Sequence, residues 1–179
     1  GSRLHFRPKL PTLLTELEYL EPVFIANNDM NSVANQEVLK LFPHIKDQPN
    51  VQFTMGTSGK KKHSPLKVGV VLSGGQAAGG HNVIAGLYDA LHRLNPSSQL
   101  FGFLNGPSGI VNGQYKELQT EDIDKVRNLG GFDLIGSGRT KIETQEQFQA
   151  SLNTMKKLDL DGLVLIGGDD TNTNAALLA

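Results

Sequence analysis

The segment GGDDTNTNAA, residues 167–176, places two carboxylates directly after a pair of glycines and an apolar run. In an extended chain, the side chains of Asp169 and Asp170 point to opposite sides, so we expect them to have separate roles. A carboxylate that ends a strand and faces a phosphate is a common ligand for Mg²⁺, which suggests a metal role for Asp169. Asp170 lies where a helix begins. Its carboxylate can satisfy the first helical N–H groups, repel a phosphate and so exclude a competing ligand. Plain N-capping by Asp170 or Thr171 is an alternative that is compatible with this interpretation.

A second candidate is the glycine-rich segment SGGQAAGGHN, residues 73–82. Gly74 and Gly75 allow backbone N–H groups to approach a ligand closely, and the start of the following helix favours an anion. Together these features suit a phosphate, although the spacing matches neither of the standard nucleotide-binding glycine patterns. Tight packing between a strand and a helix would require the same glycines, so both interpretations remain open here.

The third candidate is IGSGRTKIE, residues 135–143, in which Arg139 and Lys141 follow a short apolar run. An arginine can bind phosphate oxygens with two parallel hydrogen bonds, whereas a lysine acts as a point charge. An ordinary solvated basic loop has the same composition, and the spacing of the residues does not exclude it.

The elements that must position these residues follow a regular order from Lys67 onward. Apolar runs that end in glycine, at 67–75, 99–106, 130–138 and 161–168, alternate with helical patterns at 80–95 and 144–158. The second helical pattern starts with the capping-box pair Thr144 and Gln147, and its apolar residues Phe148, Leu152 and Met155 share one face. This order predicts an α/β fold: a Rossmann-like parallel sheet with helices on both faces. In such sheets ligands bind beyond the carboxyl ends of the strands, where the glycines lie.

Residues 1–66 have a different pattern, and we expect a mostly helical N-terminal extension and linker. Residues 12–21 and 32–42 are predicted to be short amphipathic helices, and 55–65 a solvated connector. Residues 67–179 are predicted to be the N-terminal part of an α/β domain. Its last helix, TNTNAALLA, has no glycine, asparagine or proline at its C-terminal end to close it, which favours a chain cut from a longer protein.

Composition excludes several classes of function. A net charge of -1 over 179 residues gives no nucleic-acid-binding signature, and the absence of cysteine excludes disulfides and thiolate metal sites. No apolar stretch approaches the roughly 20 residues of a membrane span. We therefore expect a cytoplasmic protein with no membrane or nucleic-acid partner.

Four segments together resemble the phosphofructokinase family, and most closely its long pyrophosphate-dependent branch: VGVVLSGGQAAGGHNVIAGL, GFLNGPSG, GGFDLIGSGRTKIET and DLDGLVLIGGDDTNTNAALLA. The resemblance covers residues 66–179. It implies that Gly74, Gly75 and Arg139 bind the diphosphate donor and that Asp169 binds Mg²⁺. ATP-using members have glycine at the position of Asp170, so the resemblance also implies that Asp170 occupies the space of a nucleotide phosphate.

The resemblance further implies a reversible transfer of a phosphoryl group from pyrophosphate to fructose 6-phosphate, which yields fructose 1,6-bisphosphate and phosphate in glycolysis. The catalytic aspartate of the family and most of its sugar site are expected beyond residue 179. A homodimer or larger oligomer is expected, with a paralogous subunit as a further possibility. Two alternatives remain: a non-catalytic regulatory subunit of the same class, and an ATP-dependent 6-phosphofructokinase.

Overall fold

The computed structural model describes residues 2–26, 33–45, 48–76 and 78–179, and it divides into two compact units. One unit comprises residues up to Pro8 together with His63–Asn174, and the other comprises Lys9–Lys62 together with Ala175–Ala179. Two residues of the sequence predictions lie outside the described part: Ser32, at the start of the second expected helix, and Ala77, within the glycine-rich turn.

The unit formed largely by Lys9–Lys62 contains helices α1 (Thr12–Thr15) and α2 (Val33–Leu41) and strands β1 (Leu20–Ile25) and β2 (Asn50–Met55). The strands pair antiparallel, from Leu20↔Met55 to Ile25↔Asn50. The prediction of α2 is confirmed, but the helix expected over residues 12–21 is wrong in its second half.

The physical reason for that difference is Pro22. A proline disfavours the helical conformation of the residue before it and cannot donate a helical hydrogen bond. After α1 the chain therefore makes one 3₁₀ turn, Leu17–Tyr19, and becomes extended at Leu20. The N-terminal extension consequently contains a two-stranded sheet in addition to helices.

The other unit is built from alternating strands and helices. Along the chain they are β3 (Lys67–Ser73), α3 (Gly80–Leu94), β4 (Gln99–Phe103), α4 (Pro107–Asn112), β5 (Tyr115–Glu117), α5 (Thr120–Val126), β6 (Ser137–Gly138), α6 (Gln145–Leu158), β7 (Gly162–Ile166) and α7 (Asp169–Leu178). The last residues of α7, from Ala175 onward, belong to the unit that contains Lys9–Lys62.

Strand β3 is the centre of the five-stranded sheet. It pairs in parallel with β4, with β7 from Val68↔Gly162 to Leu72↔Ile166, and through its last two residues with β6. Only the short edge strand β5 is antiparallel, and it pairs with β4. The predicted α/β fold is thus confirmed, with a mixed sheet in place of an entirely parallel one.

Helices cover both faces of this sheet. Successive side chains of β3 point to opposite faces, and since they are apolar, both faces must be buried. Val68, Val70 and Leu72 pack in one apolar cluster with residues of α3 and α5. Val71 packs in a second cluster with Phe103 and with Ile110 of α4 and, at its margin, Leu158 of α6. The central strand is therefore buried on both sides, as its unbroken apolar sequence predicts.

Two of the predicted elements, helix α6 and the third apolar run, form with differences in detail. The capping box of α6 is confirmed, since Thr144 Oγ1 accepts from Gln147 N–H at 3.3 Å and Gln147 Oε1 accepts from Thr144 N–H at 3.0 Å. Its buried residues, however, are Ser151 and Thr154, and Leu152 is exposed. The third apolar run forms a 3₁₀ turn, Phe132–Leu134, before the two-residue strand β6.

None of the helices in the described ranges is long and apolar enough to cross a membrane.

Candidate functional site

Three strand ends meet at one edge of the sheet, because β3, β6 and β7 run parallel. A cavity of about 760 Å³ opens beyond these ends. Its lining includes the glycine turn after β3, the first three residues of the basic loop after β6 (residues 139–142) and the first residues of α7. The three candidate segments of the sequence are therefore neighbours in space, as the parallel arrangement predicts.

The glycine turn is hydrogen bonded to the end of β6. Gly74 N–H donates to Gly138 O at 2.8 Å, and Ser137 Oγ donates to Gly74 O at 2.7 Å. Gly74 has a φ of 103°, a conformation that residues with a Cβ rarely adopt. These contacts fix the backbone of the turn at the cavity edge and leave Gly75 exposed.

Arg139 lies directly over this turn. A Cβ at position 75 would be 3.0 Å from Arg139 Nη2, so the guanidinium occupies the space that a side chain at position 75 would need. The Arg139 side chain is exposed at the cavity wall, where its planar fork is free to bind an anion. The structure thus brings together Gly74, Gly75 and Arg139.

The two carboxylates of the opening segment have different partners. Helix α7 begins at Asp169, whose Oδ1 accepts from the N–H of Asp170 at 3.0 Å. The Asp170 carboxylate instead forms an ion pair with Lys141, with Oδ2 and Nζ 3.6 Å apart. Both aspartates are exposed and line the cavity, and their position in the first turn suits the positive end of the helix dipole. Asp170 therefore lies inside the first helical turn, close to the helix entrance predicted for it.

The strand end that precedes these aspartates is too tight for any residue but glycine at position 167. A Cβ there would be 2.1 Å from Thr171 Oγ1 and 2.6 Å from Ser73 O. Thr171 is buried against this turn, so α7 starts close to the end of β3. This close packing brings the two carboxylates to the cavity.

A buried amide links α7 to the basic loop. Asn174 Nδ2 donates to Ile142 O at 2.9 Å, and Ile142 N–H donates to Asn174 Oδ1 at 3.3 Å. Both residues are buried. Sequence analysis did not identify Asn174. Asn174 lies four residues after Asp170. Because residues four apart share a helix face, this spacing could have indicated that Asn174 lies on the side of α7 that carries Asp170.

The residues present fit a divalent ion in one specific way. No cluster of three or more histidine, cysteine, aspartate or glutamate side chains is found among the described residues, which disfavours a site made of protein ligands alone. Mg²⁺ in phosphate-transfer sites is usually held by one or two carboxylates, with the remaining ligands from phosphate and water. Asp169, exposed at the cavity with one carboxylate oxygen outside the Asp170 hydrogen bond, matches that pattern.

Comparison with known proteins agrees with this architecture. The phosphofructokinase family model matches residues 67–179. The pyrophosphate–fructose 6-phosphate 1-phosphotransferase of Porphyromonas gingivalis is 47% identical over 179 residues, which cover 99% of this chain and 32% of that protein. Subunit beta 2 of the Arabidopsis thaliana enzyme of the same name is 54% identical over 182 residues, which cover 100% and 31%.

A crystal structure of Pichia pastoris phosphofructokinase in the T-state superposes with a TM-score of 0.53 at 23% identity, covering 72% of this chain and 15% of that one. At this identity the likeness concerns the fold. The chain spans about a third of the length of the curated relatives that it matches. The match of the family model across the whole α/β part, together with the relatives over nearly the whole chain, shows that the chain belongs to the phosphofructokinase family.

Proposed function

We propose that this chain forms the donor-binding side of a phosphotransferase that moves a phosphoryl group from pyrophosphate to the 1-hydroxyl of fructose 6-phosphate. The observation that carries the proposal is the Asp170–Lys141 ion pair at the start of α7, beside the glycine turn and Arg139. The names of the relatives support the same substrates.

In this proposal, the glycine turn of Gly74 and Gly75 and the guanidinium of Arg139 bind the diphosphate. Gly74 shapes the turn, because its own N–H donates to Gly138 O, and Gly75 allows the phosphate to approach the backbone closely. Pyrophosphate carries charge on both phosphate groups, so it requires cations and N–H donors at both ends. Lys141 supplies a second positive charge at the cavity, beside Asp170. The carboxylate of Asp170 fills the place at the helix start where a nucleotide phosphate would otherwise bind, and it repels that phosphate.

We assign a divalent ion, Mg²⁺, to Asp169. When bound there, Mg²⁺ would neutralise charge on the phosphate oxygens. Asp169 itself orients its free carboxylate oxygen toward the cavity by using the other oxygen to accept the N–H of Asp170. A single carboxylate suffices because the donor phosphates and water complete the coordination.

The chemical step depends mainly on positioning and electrostatic stabilisation. The sugar hydroxyl attacks the terminal phosphorus, a new phosphorus–oxygen bond forms, the bridging bond of pyrophosphate breaks, and phosphate leaves. The hydroxyl proton goes to a general base. Among the described residues at the cavity we assign that role to none, and we expect the base in the part of the relatives that this chain does not span.

The assembly and location of the protein are also proposals. The Arabidopsis relative is named as a beta subunit, which supports an oligomer that could include a paralogous chain. We propose a homodimer or a larger oligomer in the cytoplasm.

The proposal is tested with the full-length protein, fructose 6-phosphate and Mg²⁺, with pyrophosphate or ATP as the donor. We expect kcat/KM for pyrophosphate to exceed that for ATP. A preference for ATP would contradict the exclusion role of Asp170 and support an ATP-dependent enzyme. Turnover with neither donor would support a non-catalytic subunit.

A further inference from the structure

The amide side chain of Asn174 makes a two-way contact with one backbone position of the basic loop. It donates to Ile142 O and accepts from Ile142 N–H, so it pairs with both backbone groups of this residue, as a neighbouring strand in a sheet would. Asn174 is 8% exposed and Ile142 is fully buried, so water does not compete freely for these groups. A buried polar contact of this kind is costly to break, because both backbone groups of Ile142 would lose their partner.

The contact joins the two elements that carry the charges of the cavity. Arg139, Thr140 and Lys141 precede Ile142 and are exposed, so their own side chains do not anchor the loop. Asp169 and Asp170 lie one turn before Asn174 on α7. The exposed Lys141–Asp170 ion pair is weak by itself, since surface ion pairs contribute about 0–1 kcal/mol. The buried amide is therefore a stronger link between the loop and the helix than this ion pair.

We propose that Asn174 is a positioning residue that holds the basic loop on α7, so that Arg139 lies over the glycine turn and Lys141 beside Asp170 at the donor cavity. The inference rests on the proposed function for the identity of the donor. Asn174 is not a catalytic residue in this proposal, because it contacts the loop backbone and acts through Arg139 and Lys141. Loss of the contact lets the cations move away from the donor, and small displacements of such groups reduce rates strongly.

The chemistry of the contact provides a selective test. Asparagine offers one acceptor and one donor, and alanine offers neither. An ionised aspartate at position 174 accepts from Ile142 N–H, but its second oxygen lies against Ile142 O. These two oxygens are both acceptors and repel one another. Protonation of that aspartate restores a donor, and hence the pattern of the amide. Burial raises the pKa of a carboxyl group, so protonation at position 174 should occur above the usual value of about 3.9.

The experiment uses the full-length protein and compares Asn174→Ala, Asn174→Asp and Asn172→Ala. Asn172 is the matched control, because it is an exposed asparagine on the same helix. We expect kcat/KM for pyrophosphate to fall on the order of 10- to 10²-fold in Asn174→Ala, with KM for fructose 6-phosphate unchanged. Asn172→Ala should match the wild type.

The pH profile separates positioning from general loss of structure. We measure kcat/KM of Asn174→Asp divided by that of Asn174→Ala between about pH 8 and about pH 5, which cancels the titration of the other groups at the cavity, Lys141 and Asp170 included. The ratio should rise as the pH falls, because protonation restores the donor to Ile142 O. A ratio that does not change with pH overturns the proposal. So does an equal increase in KM for pyrophosphate and for fructose 6-phosphate in Asn174→Ala.

Hydrogen exchange at the Ile142 amide gives a readout that needs no activity. This amide should be protected in the wild type and in Asn172→Ala, and should exchange faster in Asn174→Ala. Unchanged protection in Asn174→Ala overturns the proposal. If the exchange result holds but the wild type does not use pyrophosphate, the proposed donor is wrong and the contact between loop and helix stands.

Discussion

At the scale of single residues, the proposed donor choice depends on the charge balance at the start of α7. Asp170 faces a cation, Lys141, at 3.6 Å, and the two charges partly neutralise one another. A ligand phosphate at this place would have to displace the carboxylate from the lysine and approach a negative charge. The ion pair with Lys141 thus adds a partner that holds the Asp170 carboxylate in place, which the sequence alone does not show.

The Asp170→Gly variant of the full-length protein tests this argument. Glycine removes the repulsive charge and the side-chain bulk, and leaves Lys141 and the helical N–H groups free to bind a nucleotide phosphate. We expect the ratio of kcat/KM for ATP to that for pyrophosphate to rise about 10²-fold or more. The matched variant Asp170→Asn keeps the bulk and removes the charge, so it should give a smaller rise. A fall of both kcat/KM values with an unchanged ratio means that Asp170 only supports the helix.

The Asp169→Ala variant tests the metal role. We expect loss of Mg²⁺-dependent turnover with a thermal unfolding temperature within about 4 °C of the wild type, because Asp169 is exposed and its carboxylate accepts the N–H of Asp170 in the first turn of α7. Asp159→Asn serves as the control, since Asp159 is an exposed carboxylate before β7 rather than after it. Full activity of Asp169→Ala at ordinary Mg²⁺ concentrations places the metal elsewhere.

Sequence analysis identified the individual candidates of the site but not their pairing. Gly74, Gly75, Arg139, Asp169 and Asp170 could be selected because they follow strand ends. The Lys141–Asp170 pair and the Asn174–Ile142 contact join residues about 30 positions apart, and their distances depend on how the loop folds back. No local pattern encodes that arrangement, so both required the structure.

At the scale of elements, prediction worked where periodicity was strong. Helix α3 buries Ile84, Tyr88 and Leu91 as its spacing indicates, and β3, β4 and β7 form at their apolar runs. The sequence patterns did not predict the strands β1, β2 and β5. Pro22 ended a helical pattern, and β5 has only three residues, Tyr115–Glu117, too few to show alternation. In α6 the buried side is decided by the close contact with α4, which selects small Ser151 and Thr154 over Leu152.

The N-terminal cap of α5 predicts how stability depends on pH. Asp122 accepts from Gln119 N–H at 3.1 Å and forms an ion pair with Lys116, whose hydrogen bond is the main cause that holds the pKa of Asp122 below its usual value. A lowered pKa in the folded state means that ionised Asp122 stabilises the fold above the unfolded value of about 3.9, and that this contribution is lost as the pH falls through the folded pKa.

We therefore expect Asp122→Asn to lower the free energy of unfolding by about 0.5–1 kcal/mol at neutral pH. The variant loses the charge that pairs with Lys116 and favours the helix start, whereas its amide oxygen can still accept from Gln119 N–H. The difference from wild type should shrink as the pH falls below about 4. Denaturant titrations at several pH values measure it. Glu121→Gln, an exposed acid in the same turn, is the control and should show a much smaller change. A difference that stays constant with pH means that the charge of Asp122 does not contribute.

At the scale of the whole molecule, the described cavity carries groups that suit only one of the two substrates of the proposed transfer. The cations, glycine backbone and carboxylates around it suit a diphosphate and its metal. The chain also spans only about a third of the length of its relatives. A two-substrate transfer needs groups that bind the sugar phosphate and accept the hydroxyl proton, and we expect the remaining two thirds of such a protein to provide them.

The 179-residue chain on its own should therefore show no phosphotransferase activity with pyrophosphate, fructose 6-phosphate and Mg²⁺. A general base contributes about 10²- to 10⁴-fold to the rate, and positioning of the second substrate adds to that, so their joint loss leaves no measurable turnover. The measurement compares the purified chain with the full-length protein at equal molar concentration. Release of phosphate from pyrophosphate without sugar is followed in parallel, because it reports donor hydrolysis rather than transfer. Formation of fructose 1,6-bisphosphate by the chain at a rate comparable to the full-length protein would mean that the sugar site and the base lie within these 179 residues, and the division of labour proposed for the two parts would be wrong.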